Sequence, residues 1–192
     1  MTPHTVDLKS LPPEVVERAR NIKLILMDVD GTLTDGRIFY FPESIGKITE
    51  FKAFGSHDGL GFHFCNHVGI TTGWISGRVA PGVDERARIL NVKYVRQGHL
   101  EKEHIWDEIL ADANLSNPQV AYIGDDFTDV SLMMRSGLGC AVGDARPEVR
   151  KVAHYVTRAD GGQGAFREIA EIIIKSQGLW QQVLEKYKLP AS

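Results

Sequence analysis

The chain has 192 residues, 43% of them hydrophobic, and a formal net charge of -3 with acidic and basic side chains interspersed. That length and apolar content support one substantial core with at most a small appendage. The mixed charge lacks the basic stripe that neutralises a nucleic-acid backbone, and no run approaches the roughly 20 apolar residues of a membrane span, so neither nucleic acid nor membrane is an expected partner.

Residues 1–21 form a polar lead-in, in which Pro12 and Pro13 open a short amphipathic helix over Glu14–Arg20. With no signal core or cleavage pattern at the N-terminus, a cytoplasmic location is expected. From Ile22 to Val29 the chain is apolar enough for a fully buried central strand. Arg37–Phe41 and Lys47–Phe51 read as an antiparallel hairpin joined by a five-residue connection, PESIG, with Pro42 and Gly46 supplying the turn. Its strands place Ile38, Tyr40, Ile48 and Glu50 on one side and Phe39, Phe41, Thr49 and Phe51 on the other. That is more apolar surface than an isolated ribbon carries in water, which favours cover by another subunit.

Helices and strands then alternate: helix Gly59–Val68, strand Thr71–Ile75, helix Val83–Leu90, strand Lys93–Val95, helix Glu101–Ala113, strand Gln119–Ile123, helix Phe127–Arg135, strand Gly139–Val142, helix Pro147–Val152 and strand His154–Val156. Serial βα construction predicts an α/β fold, a three-layer Rossmann-like parallel sheet with helices on both faces. After Gly161-Gly162-Gln163-Gly164, a helix over Ala165–Ser176 completes a domain spanning 22–176. Residues 177–192 carry a last helix, Leu179–Tyr187, and a tail that caps the domain or enters a neighbouring subunit. Neither the interval from Asp28 to Ser76 nor that from Lys102 to Asp125 has room for a folded cap domain, so the hairpin 37–51 is the expected flap. Cys65 and Cys140 read as reduced core residues, and the histidines show no zinc-ligand spacing.

Two acidic clusters carry the chemistry: Asp28 and Asp30 in LILMDVDGTLTDG, and Asp125, Asp126 and Asp129 in VAYIGDDFTDV. Each follows an apolar run, as loops at the carboxyl ends of parallel strands do, and such loops converge. Converging carboxylates repel unless a cation joins them, and an all-oxygen site with room for water and phosphate suits Mg2+. Asp28, nearer the strand, is the candidate nucleophile. Asp30 is the candidate general acid and base, protonating the leaving alcohol and then activating water. Gly31 permits a tight turn whose amides hold phosphate oxygens.

Further along, Ser76 offers its hydroxyl to the phosphate and Gly77 allows close approach. Lys102, at a helix start, neutralises transferring phosphoryl oxygens and keeps Asp28 ionised. Asp125 is the expected direct metal ligand, with Asp28 and the main-chain carbonyl of Asp30. Asp126 acts through water, and Asp129, one helical turn on, orients Lys102.

These motifs, in this order from about Ile22 to Val142, resemble the phosphatases of the haloacid dehalogenase (HAD) superfamily. DVDGTLTDG, HDGLGF, SGR, QGHLEK, YIGDDFTD, VGDARPEV and GGQGAFREI further resemble, over nearly the whole chain, the 3-deoxy-D-manno-octulosonate 8-phosphate phosphatase family and its relatives, the 2-keto-3-deoxynononate 9-phosphate and acylneuraminate phosphatases. The resemblance implies a Mg2+-dependent cytosolic homotetramer. It would release phosphate from a sugar acid through an aspartyl-phosphate, in the pathway supplying lipopolysaccharide or related surface glycans. It also implies substrate contacts from Asp30, Thr34, His57, Asp58, Gly59, Arg78 and Arg86, the arginines facing carboxylate or hydroxyl groups.

Two departures stand out against the family. It commonly has Val-Arg where Ser56-His57 precede Asp58-Gly59, which bears on sugar recognition. It commonly has Val where Thr32 stands, a change expected to be neutral for chemistry. A receiver-type phosphoacceptor switch also gathers acids, a hydroxyl and a lysine around Mg2+. It accepts phosphate after its third strand, however, whereas Asp28 and Asp30 follow the first, and turnover of a phosphorylated substrate separates the two.

Overall fold

The computed structural model of the protein describes residues 6–190; residues 1–5 of the expected lead-in and 191–192 of the expected tail lie outside them. Helix α1 (Pro13–Ala19) leads into β1 (Leu24–Met27), followed by β2 (Phe39–Ser44) and β3 (Lys47–Phe51). Then come α2 (Ser56–Val68), β4 (Thr71–Ser76), α3 (Pro81–Leu90), β5 (Tyr94–Gln97), α4 (Glu103–Ala113), β6 (Val120–Gly124) and α5 (Val130–Arg135). The chain closes with β7 (Leu138–Ala141), α6 (Pro147–Val152), β8 (Tyr155–Val156), α7 (Ala165–Ser176) and α8 (Trp180–Lys186).

Six strands form one parallel sheet in the order β5-β4-β1-β6-β7-β8, while β2 and β3 pair only with each other. The chain moves outward from β1 through β4 to β5, then crosses back to β6 on the other side of β1. Such a reversal of strand order opens a crevice beyond the carboxyl ends of the strands. β1 and β6 are in step, Met27 opposite Ile123 and opposite Trp74 of β4. The amide of Asp28 continues the ladder by donating to Ile123 O at 3.0 Å. The residues just beyond Met27, Ser76 and Gly124 therefore emerge side by side.

The strands are short and continuously apolar because both faces are covered; all four residues of β1 are buried. On one face α2 packs against α7, which also meets α1 and α8. On the other α4 packs on α5 and α5 on α6. The α2–α7 contact centres on Phe62 and Phe166, whose rings stack at 3.9 Å between centroids, with Trp74 edge-on to Phe62 at 5.6 Å. Among the described residues, no helix is long and apolar enough to cross a membrane.

The architecture is the one read from the chain, with local differences. The hairpin connection is shorter than expected. β2 continues through Pro42, Glu43 and Ser44, so Ile45 and Gly46 make the turn, with Gly46 at φ 77°. Pro42 is tolerated because a two-stranded ribbon leaves one side of each strand unpaired, and the register shifts between Pro42 and Ser44. The single helix expected over Phe127–Arg135 is a 3-10 turn, Phe127–Asp129, running into α5. Lys102 stands at the N-cap of α4 and not inside it.

Truncating the aromatic stack tests the core: Phe166→Ala should lower the stability of the domain by about 3–5 kcal/mol. The urea unfolding midpoint reads this loss, and a midpoint equal to wild type would show that the stack does not hold α7 to the sheet.

Candidate active site

Asp28 is the first residue past β1, 8% exposed. Its Oδ1 accepts from Lys102 Nζ at 2.8 Å, and the same ammonium donates to Asp129 Oδ1 at 2.7 Å. Lys102 is 2% exposed. Tyr122, from β6, completes this knot by donating its hydroxyl to Asp129 Oδ1 at 2.9 Å. The other oxygen of Asp129 receives the amides of Asp125 and Asp126 at 3.1 and 3.3 Å. Asp129 is thus saturated by donors, Lys102 among them. Burial acts to lower the Lys102 pKa, but Asp28 and Asp129 outweigh it and hold the ammonium above its ordinary value.

Carboxylate oxygens of Asp28, Asp125 and Asp129 lie within 4.8 Å of one another. Burial first, and then the charge of Asp129, push Asp28 up to about 7. Burial, Asp129 and Asp28 together push Asp125 up to about 8. Carboxylates so placed stay ionised at neutral pH only beside a cation, and an all-oxygen donor set fits Mg2+. Because Asp129 is already spent on Lys102, Tyr122 and two amides, Asp28 and Asp125 are the side chains left to hold the ion. Asp126 is exposed and accepts from the amide of Phe127 at 2.7 Å, capping the turn that carries Asp129.

Asp30 points away from this cluster. Its carboxylate pairs with Lys52 and lies 3.5 Å from Ser76 Oγ. Ser76, 1% exposed, accepts the amide of Arg78 at 3.1 Å, and a Cβ at Gly77 would meet Leu100 at 2.7 Å. The loop carrying Asp30 is held down from above. Gly31, at φ 90°, passes so near Asp125 that a Cβ there would lie 2.2 Å from its carboxylate, and a Cβ at Gly161 would lie 1.8 Å from Gly31 O. This close approach explains why the glycine pair after β8 stands where it does.

Three residues expected to meet substrate make contacts within the chain. Thr34 is buried, and its hydroxyl donates to Val29 O while accepting the amides of Gly31 and Gly36 at 3.3 and 3.2 Å, knotting the loop. Asp58, 2% exposed, accepts the amides of Gly164 and Arg167, each at 3.0 Å, and so caps α7. Gly59 makes room for Arg86, whose Nη2 would lie 2.6 Å from a Cβ there. His57 is exposed at the start of α2. Arg86 lies 5.9 Å from the centroid of Phe54, with its Nε buried and without a hydrogen-bond partner. Thr32 is not neutral: fully buried, it donates to Asp125 Oδ1 at 2.9 Å and aims that carboxylate.

Lys52 and Glu50 join the site without a sequence motif that marks them, and so does Tyr122 by role, since it opens the YIGDDFTD motif but its residue type signals no part in the chemistry. The Lys52 side chain is 2% exposed between Asp30 and Glu50, and Glu50 also grips Arg78 at 2.6 Å. Lys52 follows an apolar strand end, a place that a solvated lysine shares.

The model of the haloacid dehalogenase-like hydrolases matches residues 91–169. Over 164 residues the chain is 40% identical to the 3-deoxy-D-manno-octulosonate 8-phosphate phosphatase KdsC of Yersinia pestis, spanning 85% of this chain and 86% of that protein. The chain belongs to this phosphatase family. Among solved structures, a probable YrbI family phosphatase from Pseudomonas syringae superposes with a TM-score of 0.88 at 39% identity, covering 94% of this chain and 100% of that one. The Moraxella catarrhalis 3-deoxy-D-manno-octulosonate 8-phosphate phosphatase, solved with magnesium, phosphate and KDO, gives 0.86 at 36% identity over 91% and 98% of the two chains. Membership of the KdsC family makes the protein a HAD-type phosphatase and decides against the receiver switch.

The raised carboxyls have a thermodynamic signature. The unfolded chain releases these protons near 3.8, while the folded site without a divalent ion keeps them to about 7 and about 8. Folding then binds protons across this window, so in EDTA the site's contribution to stability should fall as pH rises from about 4 to about 8. Saturating Mg2+ should raise Tm more at pH 8 than at pH 6, since below the raised pKa it must displace protons. Differential scanning calorimetry checks this, and Asp125→Asn should lose the difference; a Mg2+ increment independent of pH would contradict the assignment.

Proposed function

We propose that the chain hydrolyses the phosphate monoester of a sugar acid, with 3-deoxy-D-manno-octulosonate 8-phosphate the favoured substrate. The observation that carries this reading is the buried Lys102 bridge between Asp28 and Asp129, beside Asp125, in a member of the KdsC family. Asp28 attacks phosphorus, the P–O bond to the sugar breaks, and Asp30 gives its proton to the departing alkoxide oxygen. Asp30 then takes a proton from water as that water's oxygen attacks the aspartyl-phosphate. The P–O bond to Asp28 breaks and inorganic phosphate leaves.

Asp28, Asp125 and the main-chain carbonyl of Asp30 would hold Mg2+, which when bound supplies the positive charge that lets an anionic nucleophile approach an anionic ester. Gly31, Ser76, Gly77 and Lys102 receive the phosphoryl oxygens. Lys102, fixed by Asp129, would act with the metal to hold Asp28 in its ionised form and share the developing charge. Arg78 and Arg86 meet the carboxylate and hydroxyl groups of the sugar acid, and the partnerless Nε of Arg86 supports this, since a buried guanidinium donor is otherwise costly. His57, in place of the arginine common in the family, favours keeping the nine-carbon 2-keto-3-deoxynononate 9-phosphate as the second substrate to assay.

Phe39, Tyr40, Phe41, Ile48 and Phe51 of the hairpin are each more than two-fifths exposed. A ribbon with this much open apolar surface supports a homotetramer in which hairpins are covered by neighbouring copies. Light scattering should return the mass of four chains; a fully active monomer would remove the assembly.

Asp28→Asn should keep the fold and lower turnover by about 10^3-fold or more, as loss of a covalent group does. Released phosphate, measured over a panel of phosphorylated eight- and nine-carbon sugar acids and neutral sugar phosphates, should be greatest for the eight-carbon acid and vanish in EDTA. Normal Mg2+-dependent turnover by folded Asp28→Asn would eliminate the nucleophile.

A further inference from the structure

Glu50 sits at the mouth of the site in a position that a substrate carboxylate would suit. Its Oε2 accepts from Arg78 Nη2 at 2.6 Å and its Oε1 from Arg78 Nε at 3.3 Å. The Nε–Nη2 edge is the one that a carboxylate grips with two parallel bonds, and here it is filled from within the chain. Arg78 Nη2 also donates to the phenolic oxygen of Tyr40 at 3.0 Å. Glu50 Oε1 lies 3.1 Å from Lys52 Nζ, which is shared with Asp30.

The mouth therefore holds two cations, Lys52 and Arg78, against two carboxylates, Asp30 and Glu50. A substrate carboxylate arriving while Glu50 stays in place finds the Nε–Nη2 edge of Arg78 already paired. Tyr40 and Glu50 are cross-strand partners in the hairpin, so the two acceptors on Arg78 come and go together. The Arg78 side chain is 41% exposed, so a competing anion reaches its guanidinium from solvent, while the Glu50 side chain it would displace is 14% exposed.

We propose that Glu50 is an internal carboxylate that occupies the Arg78–Lys52 position until the substrate's own carboxylate displaces it. Glu50 is then a specificity-determining residue. A phosphate ester bearing a second anion replaces what it removes, whereas a simple ester leaves the hairpin latched to Arg78. The inference rests on the reading above in which Arg78 meets a sugar-acid carboxylate.

Glu50→Gln keeps the shape and removes the charge, and Glu50→Ser empties the position. The decisive measurement is inhibition of p-nitrophenyl phosphate hydrolysis by free carboxylates without a phosphate, 3-deoxy-D-manno-octulosonate and pyruvate, in each variant and in wild type. In both variants the inhibition constant of at least one carboxylate should fall about threefold to tenfold, the scale expected when a competing internal charge is removed from a partly screened pair. That fall should vanish when Arg78→Ala is added. The ratio of kcat/KM for the sugar-acid phosphate over p-nitrophenyl phosphate should rise by a similar factor. Inhibition constants that stay the same or rise, or no inhibition of any protein, would overturn the proposal; a rise would make Glu50 a support that aims Arg78. Failure of the substrate reading shows separately, as wild type that cleaves p-nitrophenyl phosphate but not the octulosonate ester, and pyruvate inhibition then still decides the role of Glu50.

Discussion

The whole site depends on one buried ammonium group. Lys102 lies almost free of solvent between Asp28 and Asp129, and a lone charge so placed would be several kcal/mol unfavourable without partners. Its two carboxylates remove that penalty but create another. With Asp125 added, three acids face one base, a formal charge of -3 + 1 = -2 in a pocket poorly reached by water. A divalent cation closes this balance while leaving the carboxylates ionised, at a site whose clustered ligands among the described residues are all carboxylates. Burial first, and then the mutual repulsion of these acids, pushes Asp28 and Asp125 up, so that without the ion they keep protons they would lose in water.

Backbone architecture sets the distances on which this balance relies. β1 and β6 are neighbours in register, so Asp28 and Asp125 leave adjacent strand ends. The loop after β1 is compressed from outside, Gly31 lying under Gly161 and against Asp125. Thr32 and Thr34 tie it from inside. Asp58, through its two bonds to the start of α7, fixes the segment that carries the glycines. The catalytic loop is thus placed by bonds and close contacts among the chain's own residues.

Most of the fold was legible because its signals are local. Apolar runs of strand length, glycine and proline punctuation and helix periodicity place nearly every element within a few residues, and the acidic loops declare themselves by following strands. What escaped is the direction in which a polar side chain points. Thr34 and Asp58 read alike whether they turn toward a ligand or back onto amides, and only the tertiary position of α7 decides for Asp58. Lys52 reads as a solvated surface residue until Asp30 and Glu50 are seen to enclose it. Thr32 reads as a neutral replacement for valine until Asp125 is found within hydrogen-bonding reach. The hairpin turn was misplaced for a related reason: proline signals a turn in isolation, yet an unpaired strand edge accommodates it.

Floor and mouth of the site are balanced differently, and the difference bears on selectivity. The floor, with Asp28, Asp125, Asp129 and Lys102, is short of positive charge and is completed by a metal, so any phosphate monoester brings its dianion to a place already prepared for one. The mouth, with Asp30, Glu50, Lys52 and Arg78, is balanced by its own side chains and attracts no particular anion while they stay paired. Bond breaking is therefore governed by residues that every substrate meets alike. On the reading proposed above, discrimination among esters falls to a peripheral element, the hairpin, whose attachment to Arg78 is partly open to solvent. An enzyme without a cap domain can in this way keep a generic phosphoryl-transfer floor and set its preference among esters at the rim, where displacing Glu50 from Arg78 subtracts from what a substrate carboxylate gains, without reshaping the catalytic carboxylates.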